Sequence, residues 1–157
     1  TVDAEQITQK KSFGESRLMP FIAGLTPNFV QHVDMAHCGN TFPFSGSKSA
    51  DIFGWMRFKQ PPEIFNDSAI LALIDAWPPT LLSMLKEPAP ASSITWSIEF
   101  IQPRSELSKE DVLYYECYTQ QAADGYGHTQ AKVYHPNGEL IALSRQLVGV
   151  YDQRSSK

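Results

Sequence analysis

Apolar and polar residues alternate along much of the chain, in short segments that are separated by turn-forming residues. A period of two is typical of β-strands, because successive side chains of a strand point to opposite faces. The segments with this pattern cover residues 28–37, 51–59, 92–101, 112–121, 126–134 and 139–151. Asp124-Gly125 and Pro136-Asn137-Gly138 lie between the last three segments and are typical turn sequences. The pattern therefore predicts about six strands, the last three of them antiparallel neighbours.

Residues 66–86 form the one segment whose apolar positions have helical periodicity. Asn66 or Asp67 can cap its first turn. The apolar residues at helical spacing are Ile70, Leu71, Leu73, Ile74, Trp77, Leu81, Leu82 and Leu85. One helix among about six strands can bury its apolar side only by lying across a sheet. The sequence thus predicts an α+β hotdog fold, in which an antiparallel sheet of about six strands wraps around one long helix.

The chain is long enough for one domain, since it has 157 residues and a hydrophobic content of 42%. Gly14, Pro20, Gly24 and Pro27 interrupt any periodicity near the N-terminus. We therefore predict a lead-in or linker segment over residues 1–27, followed by the hotdog domain over residues 28–152.

The composition argues against several classes of function. A net charge of -4 without any run of Lys or Arg argues against nucleic-acid binding. The longest apolar run, residues 70–85, contains Asp75 and two prolines and is shorter than the roughly 20 apolar residues of a membrane span. No signal segment opens the sequence. Cys38 and Cys117 lack the spacing of a metal or redox motif, which favours a reduced, cytoplasmic protein.

Asp75 is the most informative polar residue, because it lies within the apolar helical segment and just before Pro78 and Pro79. These prolines cannot donate hydrogen bonds to the carbonyls of Ile74 and Asp75, so we expect the helix to kink or open there. A carboxylate beside freed carbonyls in an apolar element is a candidate for binding and activating a water. In the alternative interpretation, Asp75 points to solvent on the polar side of the helix, and the pattern does not separate the two.

Gln146 and Ser93 are two further candidates for a site. Gln146 lies in the last predicted strand, which is apolar on both faces and is therefore expected to be central in the sheet. A neutral amide there can hydrogen-bond a water or a carbonyl without the desolvation cost of a charge. The alternation places Ser93 and Thr95 on one face of their strand, and Ile94 and Trp96 on the other. A glutamine paired with a neighbouring strand and a structural serine are the alternatives.

The signatures of several common enzyme classes are absent from the sequence. It contains no GxSxG nucleophile elbow, GxGxxG loop, P-loop or HExxH motif. The four histidines are scattered, and His32 and His37 are expected to be exposed or structural. Asp75 and Gln146 therefore remain as the residues that indicate chemistry, and the pattern leaves the role of the Ser93 and Thr95 hydroxyls open.

A combination of short motifs extends from about Pro20 to Asp152. They are TPNF (26–29), PFSGS (43–47), GWMRFK (54–59), LALIDAWPP (71–79), SSITWSIEFIQP (92–103) and ALSRQ (142–146). The sequence resembles the second, C-terminal hotdog domain of the acyl-CoA thioesterase II (TesB-like) family. Members of this family hold the hydrolytic water with an Asp, a Ser or Thr, and a Gln. Matched by position, these residues are Asp75, Ser93 and Gln146, and Ser93 stands where Thr is more usual.

This resemblance implies a thioester hydrolase of fatty acid metabolism, which converts acyl-CoA to free acid and CoA without a cofactor or metal. Asp75, with Gln146 and Ser93, is expected to orient and activate a water, while backbone N–H groups near the helix start polarise the thioester carbonyl. A non-catalytic acyl-CoA or acyl-ligand binding module on the same fold is the alternative. A hotdog dehydratase is disfavoured, because that chemistry usually requires a His and none lies on the predicted helix.

The resemblance also implies partners for the domain. The family architecture contains two hotdogs, and the preceding one is not part of this sequence, which begins with Thr1. A lone hotdog leaves a sheet edge and an apolar surface open to water. We therefore expect acyl-CoA as substrate, and either a homo-oligomer or pairing with an N-terminal hotdog half. No nucleic-acid or membrane partner is expected.

Overall fold

A computed structural model describes residue 7 and residues 11–151 of the chain. The other residues of the predicted lead-in segment, and Asp152 at the end of the predicted domain, lie outside the described residues. The strands are β1 (Arg17–Leu18), β2 (Val33–His37), β3 (Ile52–Phe58), β4 (Ala91–Phe100), β5 (Leu113–Ala123), β6 (Tyr126–Tyr134) and β7 (Leu140–Val150). They form one antiparallel sheet in the order β1-β2-β3-β5-β6-β7-β4. The one α-helix of the described residues, α1 (Asp67–Asp75), lies between β3 and β4 in the sequence.

The apolar side of α1 packs on one face of this sheet, which we call the helix face. Ile70 and Leu73 of α1 are fully buried there, in a cluster with Met56, Leu113 and Val133 of the sheet. Burying one such aliphatic side chain stabilises the fold by about 1.5–3 kcal/mol. Asn66 caps the helix as expected, since its side chain accepts a hydrogen bond from the N–H of Ala69 at 3.2 Å. The predicted sheet with one central helix is confirmed.

The opposite face of the sheet, which we call the outer face, carries the residues that alternate along each strand with those of the helix face. Tyr114 of β5 lies there, with its ring centroid 4.9 Å from that of Trp55 of β3. Both Tyr114 and the next residue, Tyr115, are buried, although they point to opposite faces. The strand β5 is therefore covered on both sides.

The helix is shorter than the predicted helix over residues 66–86. It ends at Asp75, and a short 3-10 helix follows at Thr80–Met84. Pro78 and Pro79 have no N–H to continue the hydrogen-bonding ladder, so the interruption is where the prolines predict it. What the pattern did not predict is that the chain fails to resume as an α-helix.

The predicted strand over residues 28–37 is correct only in its second half. Asn28–His32 is a 3-10 helix, whose N–H of Val30 donates to the carbonyl of Pro27 at 3.1 Å. Only Val33–His37 is a strand, and it pairs with β1 inside the predicted lead-in segment. The boundaries of the lead-in and the domain stay a prediction.

The two edges of the sheet differ in length. One edge strand, β1, has 2 residues, whereas the other, β4, has 10 residues and pairs with β7 alone among the described strands. The strand β7 lies between β6 and β4, so the prediction of an interior position for it is confirmed. No helix within the described residues is sufficiently long and apolar to cross a membrane.

Candidate active site

Asp75 is the last residue of α1, and its side chain is exposed. Leu71 and Ala72, which lie four and three residues before it, are also exposed. The solvent-facing interpretation of Asp75 is therefore correct as far as exposure is concerned. Within the described part of the chain, no residue hydrogen-bonds or ion-pairs with its carboxylate, which leaves the oxygens free to accept from a ligand.

A small cavity lies beside Asp75, between the end of α1 and the helix face of the sheet. Its volume is about 20 Å³. A space of that size accommodates about one water molecule, provided that polar groups line it. The polar residues of the lining are Asp75, Thr80, Cys117, Thr129, Ser144 and Gln146. The structure thus brings Asp75 and Gln146 to one water-sized space.

Ser93 joins this site through Gln146, whose Nε2 donates a hydrogen bond to the Ser93 Oγ. A β-bulge at Ile94 makes this contact possible, because the pairing of β4 with β7 shifts between Ser93 and Thr95. Ser93 pairs with Val148, which lies on the helix face together with Gln146. The three predicted site residues therefore lie around one corner of the helix face.

The predicted alternation of β4 is wrong at its start, for the same reason. The pattern placed Ser93 and Thr95 on one face and Ile94 with Trp96 on the other. The bulge instead turns Ser93 to the helix face and leaves Ile94 47% exposed. The extra residue shifts the period of two by one position, so every residue before it changes face.

Close packing of the 3-10 helix against the sheet fixes the position of this corner. A Cβ at Gly127 of β6 would lie 2.0 Å from the Cδ1 of Leu81, so any larger residue there would displace the Leu81 side chain. The Thr80 hydroxyl lies 2.8 Å from that of Thr119, which in turn donates to the carbonyl of Ala50 at 2.9 Å. These hydrogen bonds tie the segment after the prolines to β5 and to the start of β3.

Sequence reasoning missed the polar residues that complete the cavity, namely Thr80, Thr129 and Ser144. Ser144 accepts a hydrogen bond from the Trp96 Nε1 at 2.9 Å, which holds that indole against the site. The signal for Thr129 and Ser144 was present, because both are polar residues on a strand face that is otherwise apolar. Thr80 carried no such signal, since its burial depends on the turn after Pro79.

Cys117 is the one thiol that reaches the cavity. Both cysteines are free, and Cys117 is buried. Burial raises the pKa of the Cys117 thiol to about 11. Burial also raises the pKa of Tyr115, a neighbouring residue of the lining, well above its ordinary value. Both groups are therefore protonated and uncharged at neutral pH.

The start of α1 is too distant to polarise a carbonyl at this site. Asp75 lies eight residues after Asp67, and a helical rise of about 1.5 Å per residue separates them by roughly 12 Å. The helix start instead lines a separate cleft of about 770 Å³, where Arg104 donates to the carboxylate of Asp67. The helix start therefore does not share the cavity that Asp75 and Gln146 line, and the expected role of its backbone N–H groups stays a prediction.

The two histidines near β2 lie in different environments. His32 is exposed, whereas His37 is only 3% exposed and its Nε2 has no hydrogen-bond partner. The ring of His37 lies 5.1 Å from that of Trp77 and 5.0 Å from that of Phe42. Burial, and then the charge of Arg17, lower the pKa of His37 to about 4. Among the described residues, no group of three or more His, Cys, Asp or Glu is placed to hold a metal ion.

Comparison with models of known protein families assigns the chain to one family. Residues 13–150 match the model of the acyl-CoA thioesterase C-terminal domain. The chain belongs to this family. No significant match was found among curated protein sequences.

Several solved structures have a fold similar to that of this chain. A protein of unknown function with a hotdog fold from Alicyclobacillus acidocaldarius is 19% identical with a TM-score of 0.77, over 97% of this chain and 57% of that one. The acyl-CoA thioesterase II TesB2 from Mycobacterium marinum is 18% identical with a TM-score of 0.61, over 94% and 61% of the two chains. A thioesterase from Haemophilus influenzae is 13% identical with a TM-score of 0.58, over 80% and 83%.

These structural similarities confirm the hotdog fold, and the family match confirms the resemblance to the C-terminal domain of acyl-CoA thioesterases. The chain spans 57% and 61% of the length of the first two of these structures, so it corresponds to part of each. The family assignment places the domain among acyl-CoA thioesterase C-terminal domains.

Proposed function

We propose that the domain hydrolyses the thioester of acyl-CoA with a water held between Asp75, Gln146 and Ser93. The observation that carries this proposal is the cavity of about 20 Å³, which Asp75 and Gln146 both line. It has room for about one water, and its lining includes a residue with a carboxyl group and one with an amide. Ser93 orients the amide of Gln146 through the hydrogen bond between them.

In the proposed reaction, the Asp75 carboxylate takes a proton from the water while the water oxygen attacks the thioester carbonyl carbon. The resulting tetrahedral intermediate collapses, the C–S bond breaks, and the sulfur of CoA leaves with the proton that Asp75 took up. The products are the free acid and CoA. Gln146 and Ser93 position the water and exchange no proton with it.

A covalent route through Cys117 is another nucleophilic mechanism to consider, because its thiol also lines the cavity. A thiolate, and not a thiol, is the nucleophile in such reactions. Because burial raises the pKa of Cys117 to about 11, its thiolate is a minor species at neutral pH. Water activation by the exposed carboxylate of Asp75 is therefore the better supported mechanism.

Release of free CoA thiol from a panel of acyl-CoAs, followed with a thiol reagent, tests this function directly. We expect turnover of at least one acyl-CoA with stoichiometric free acid. Saturable binding of acyl-CoA without any release of thiol would contradict hydrolysis and favour the alternative function, an acyl-CoA or acyl-ligand binding module.

We also propose that β4 pairs with a second hotdog, either another copy of this chain or an N-terminal hotdog half. A 10-residue edge strand presents a long row of unpaired backbone groups, which proteins usually cover. Light scattering at micromolar concentration should give a dimer, with at least roughly 1,000 Å² buried in total. A monomer would contradict the homo-oligomer.

A reducing compartment, the cytoplasm, is the location we propose, because both cysteines are free thiols. Treatment of intact cells with a thiol reagent that does not cross the membrane should leave the partly buried Cys38 unlabelled. Labelling of Cys38 in intact cells would contradict this location.

A further inference from the structure

We propose that the stacked rings of Tyr115 and Trp77 form a floor beneath the water cavity, and that this floor restricts the substrates to those with short acyl groups. The inference rests on the proposed thioester hydrolysis, and it names the substrate class of the same site.

The two rings separate the water cavity from the core. Both Tyr115 and Trp77 line the cavity of about 20 Å³. Their centroids are 5.0 Å apart and their planes differ by 6°, so they form one flat double layer. Only 7% of Tyr115 and 6% of Trp77 is exposed. A cavity of this size holds a water but no acyl carbon beyond it, so an acyl group cannot extend into the core.

Contacts on the far side keep Trp77 in this position. Its Nε1 donates to the Sδ of Met56 at 3.0 Å, and the ring of His37 lies edge-on to it. A Cβ at Gly54 would lie 2.5 Å from the Cη2 of Trp77, so the indole packs directly on the backbone of β3. Because groups from β2 and β3 confine the ring, the floor cannot move aside without repacking the core.

On the open side of the site, α1 itself offers little apolar surface for a long acyl chain. Leu71, one helical turn before Asp75, is 37% exposed and is the large apolar side chain of α1 that faces this side. A long acyl chain that leaves the site in this direction would therefore remain largely in water. Each methylene added to a substrate thus gains little binding from this domain, and short acyl groups are favoured.

The experiment compares kcat/KM over a series of saturated acyl-CoAs from acetyl to dodecanoyl for wild type, Tyr115→Ala and Tyr114→Ala. Tyr114 is the matched control, since it is the adjacent tyrosine, is equally well buried at 1% exposure, and lies on the outer face. The wild type should prefer short acyl chains by about tenfold or more over octanoyl and longer ones. Tyr115→Ala should raise the ratio of octanoyl to acetyl turnover by about tenfold, because the lost ring opens space under the cavity.

Tyr114→Ala should leave the ratio at the wild-type value. If Tyr115→Ala does not fold, Tyr115→Leu removes the stacked ring, keeps most of the apolar volume, and should shift the ratio in the same direction. The proposed role of the floor would be contradicted if the wild type preferred long acyl chains, or if the Tyr115 variants had the chain-length profile of Tyr114→Ala. Neither result would contradict the proposed thioester hydrolysis. Absence of any turnover by the wild type would contradict both the proposed hydrolysis and the proposed restriction of acyl-chain length.

Discussion

The indole of Trp77 separates two polar regions of the domain that differ in their access to water. On one side lies the corner formed by Asp75, Gln146 and Ser93, in which Asp75 and Ser93 are exposed and Gln146 is half-buried. On the other side lies His37, which is buried between aromatic rings and has an unpaired Nε2. The two regions are equally unusual in the sequence, since each puts a polar residue among apolar ones.

The difference shows which polar residues are available for chemistry. The carboxylate of Asp75 keeps its contact with solvent, so it does not bear the cost of an unpaired buried charge. His37 bears a desolvation cost, which appears as a pKa of about 4. We therefore expect substitutions on the Asp75 side of Trp77 to change turnover, and substitutions on the His37 side to change stability.

The largest effect is expected for Asp75→Asn, which keeps the size of the side chain and removes its basic oxygen. If Asp75 takes the proton from water, kcat should fall by about 10²–10⁴. Because the side chain is exposed, the free energy of unfolding should change by no more than about 0.5 kcal/mol. Steady-state hydrolysis and thermal melting of the same preparation measure both.

Asp67→Asn is a useful control, since it changes the carboxylate at the other end of α1. If Asp75→Asn turned over acyl-CoA at the wild-type rate, the water-activation mechanism would be wrong and the binding module would be the better interpretation.

A loss of stability in acid is expected from His37. Its pKa is lower in the folded protein, at about 4, than the ordinary 6.5, so the unfolded state takes up the proton first. Stability is therefore lost as the pH falls below about 6.5, and the loss is complete below about 4. The shift corresponds to roughly 3 kcal/mol.

Unfolding by urea at pH 7.5 and at pH 4.5 gives, for each variant, the difference between its free energies of unfolding at the two pH values. This difference should be smaller in His37→Leu than in the wild type by ~2–3 kcal/mol, because leucine has no proton to bind. His32→Leu is the control, since that histidine is exposed and its removal should leave the difference unchanged. Equal acid sensitivity in wild type and His37→Leu would show that another group is responsible.

Gln146→Ala should lower kcat by about tenfold, which is the effect of losing one positioning hydrogen bond of about 1.4 kcal/mol. The loss is smaller than for Asp75→Asn, because the amide positions the water and transfers no proton. Gln130→Ala is the matched control. Gln130 is also a half-buried glutamine, but it is the residue after Thr129 in β6 and therefore points to the outer face. Turnover that falls equally in both glutamine variants would contradict a specific role for Gln146.

The smallest effect is expected at Ser93. Ser93→Ala should reduce kcat by no more than about fivefold, since a water can replace the hydroxyl that accepts from Gln146. Ser93→Thr keeps the hydroxyl and should retain wild-type turnover. A larger loss in Ser93→Ala than in Gln146→Ala would reverse the order, and would mean that the hydroxyl contacts the substrate itself.

Much of the fold could be predicted from the sequence, because a sheet with one buried face imposes alternation on its strands. The predicted strand over 126–134 coincides with Tyr126–Tyr134, and the one over 139–151 contains Leu140–Val150. The missed features are those that interrupt a period. The 3-10 turns at Asn28–His32 and Thr80–Met84 both follow prolines, which stop one element without fixing the next.

The candidate site was predictable as a set of residues and not as a geometry. Asp75 and Gln146 stand out as polar residues in apolar segments, and the family resemblance adds Ser93. The alternation gave the wrong face for Ser93, because the bulged residue is itself apolar. Ile94 continues the sequence pattern of Trp96, Ile98 and Phe100, so nothing in the sequence marks it as unpaired.

The bulge at Ile94 also makes the site sensitive to insertions and deletions in a way that substitutions do not reveal. Replacing Ile94 with another side chain keeps the residue count of β4, so Ser93 stays beside Gln146. Deleting Ile94 would restore regular pairing and turn Ser93 to the outer face, although every proposed site residue would still be present. The spacing between Ser93 and Trp96 is therefore as much a part of this site as the identities of its side chains.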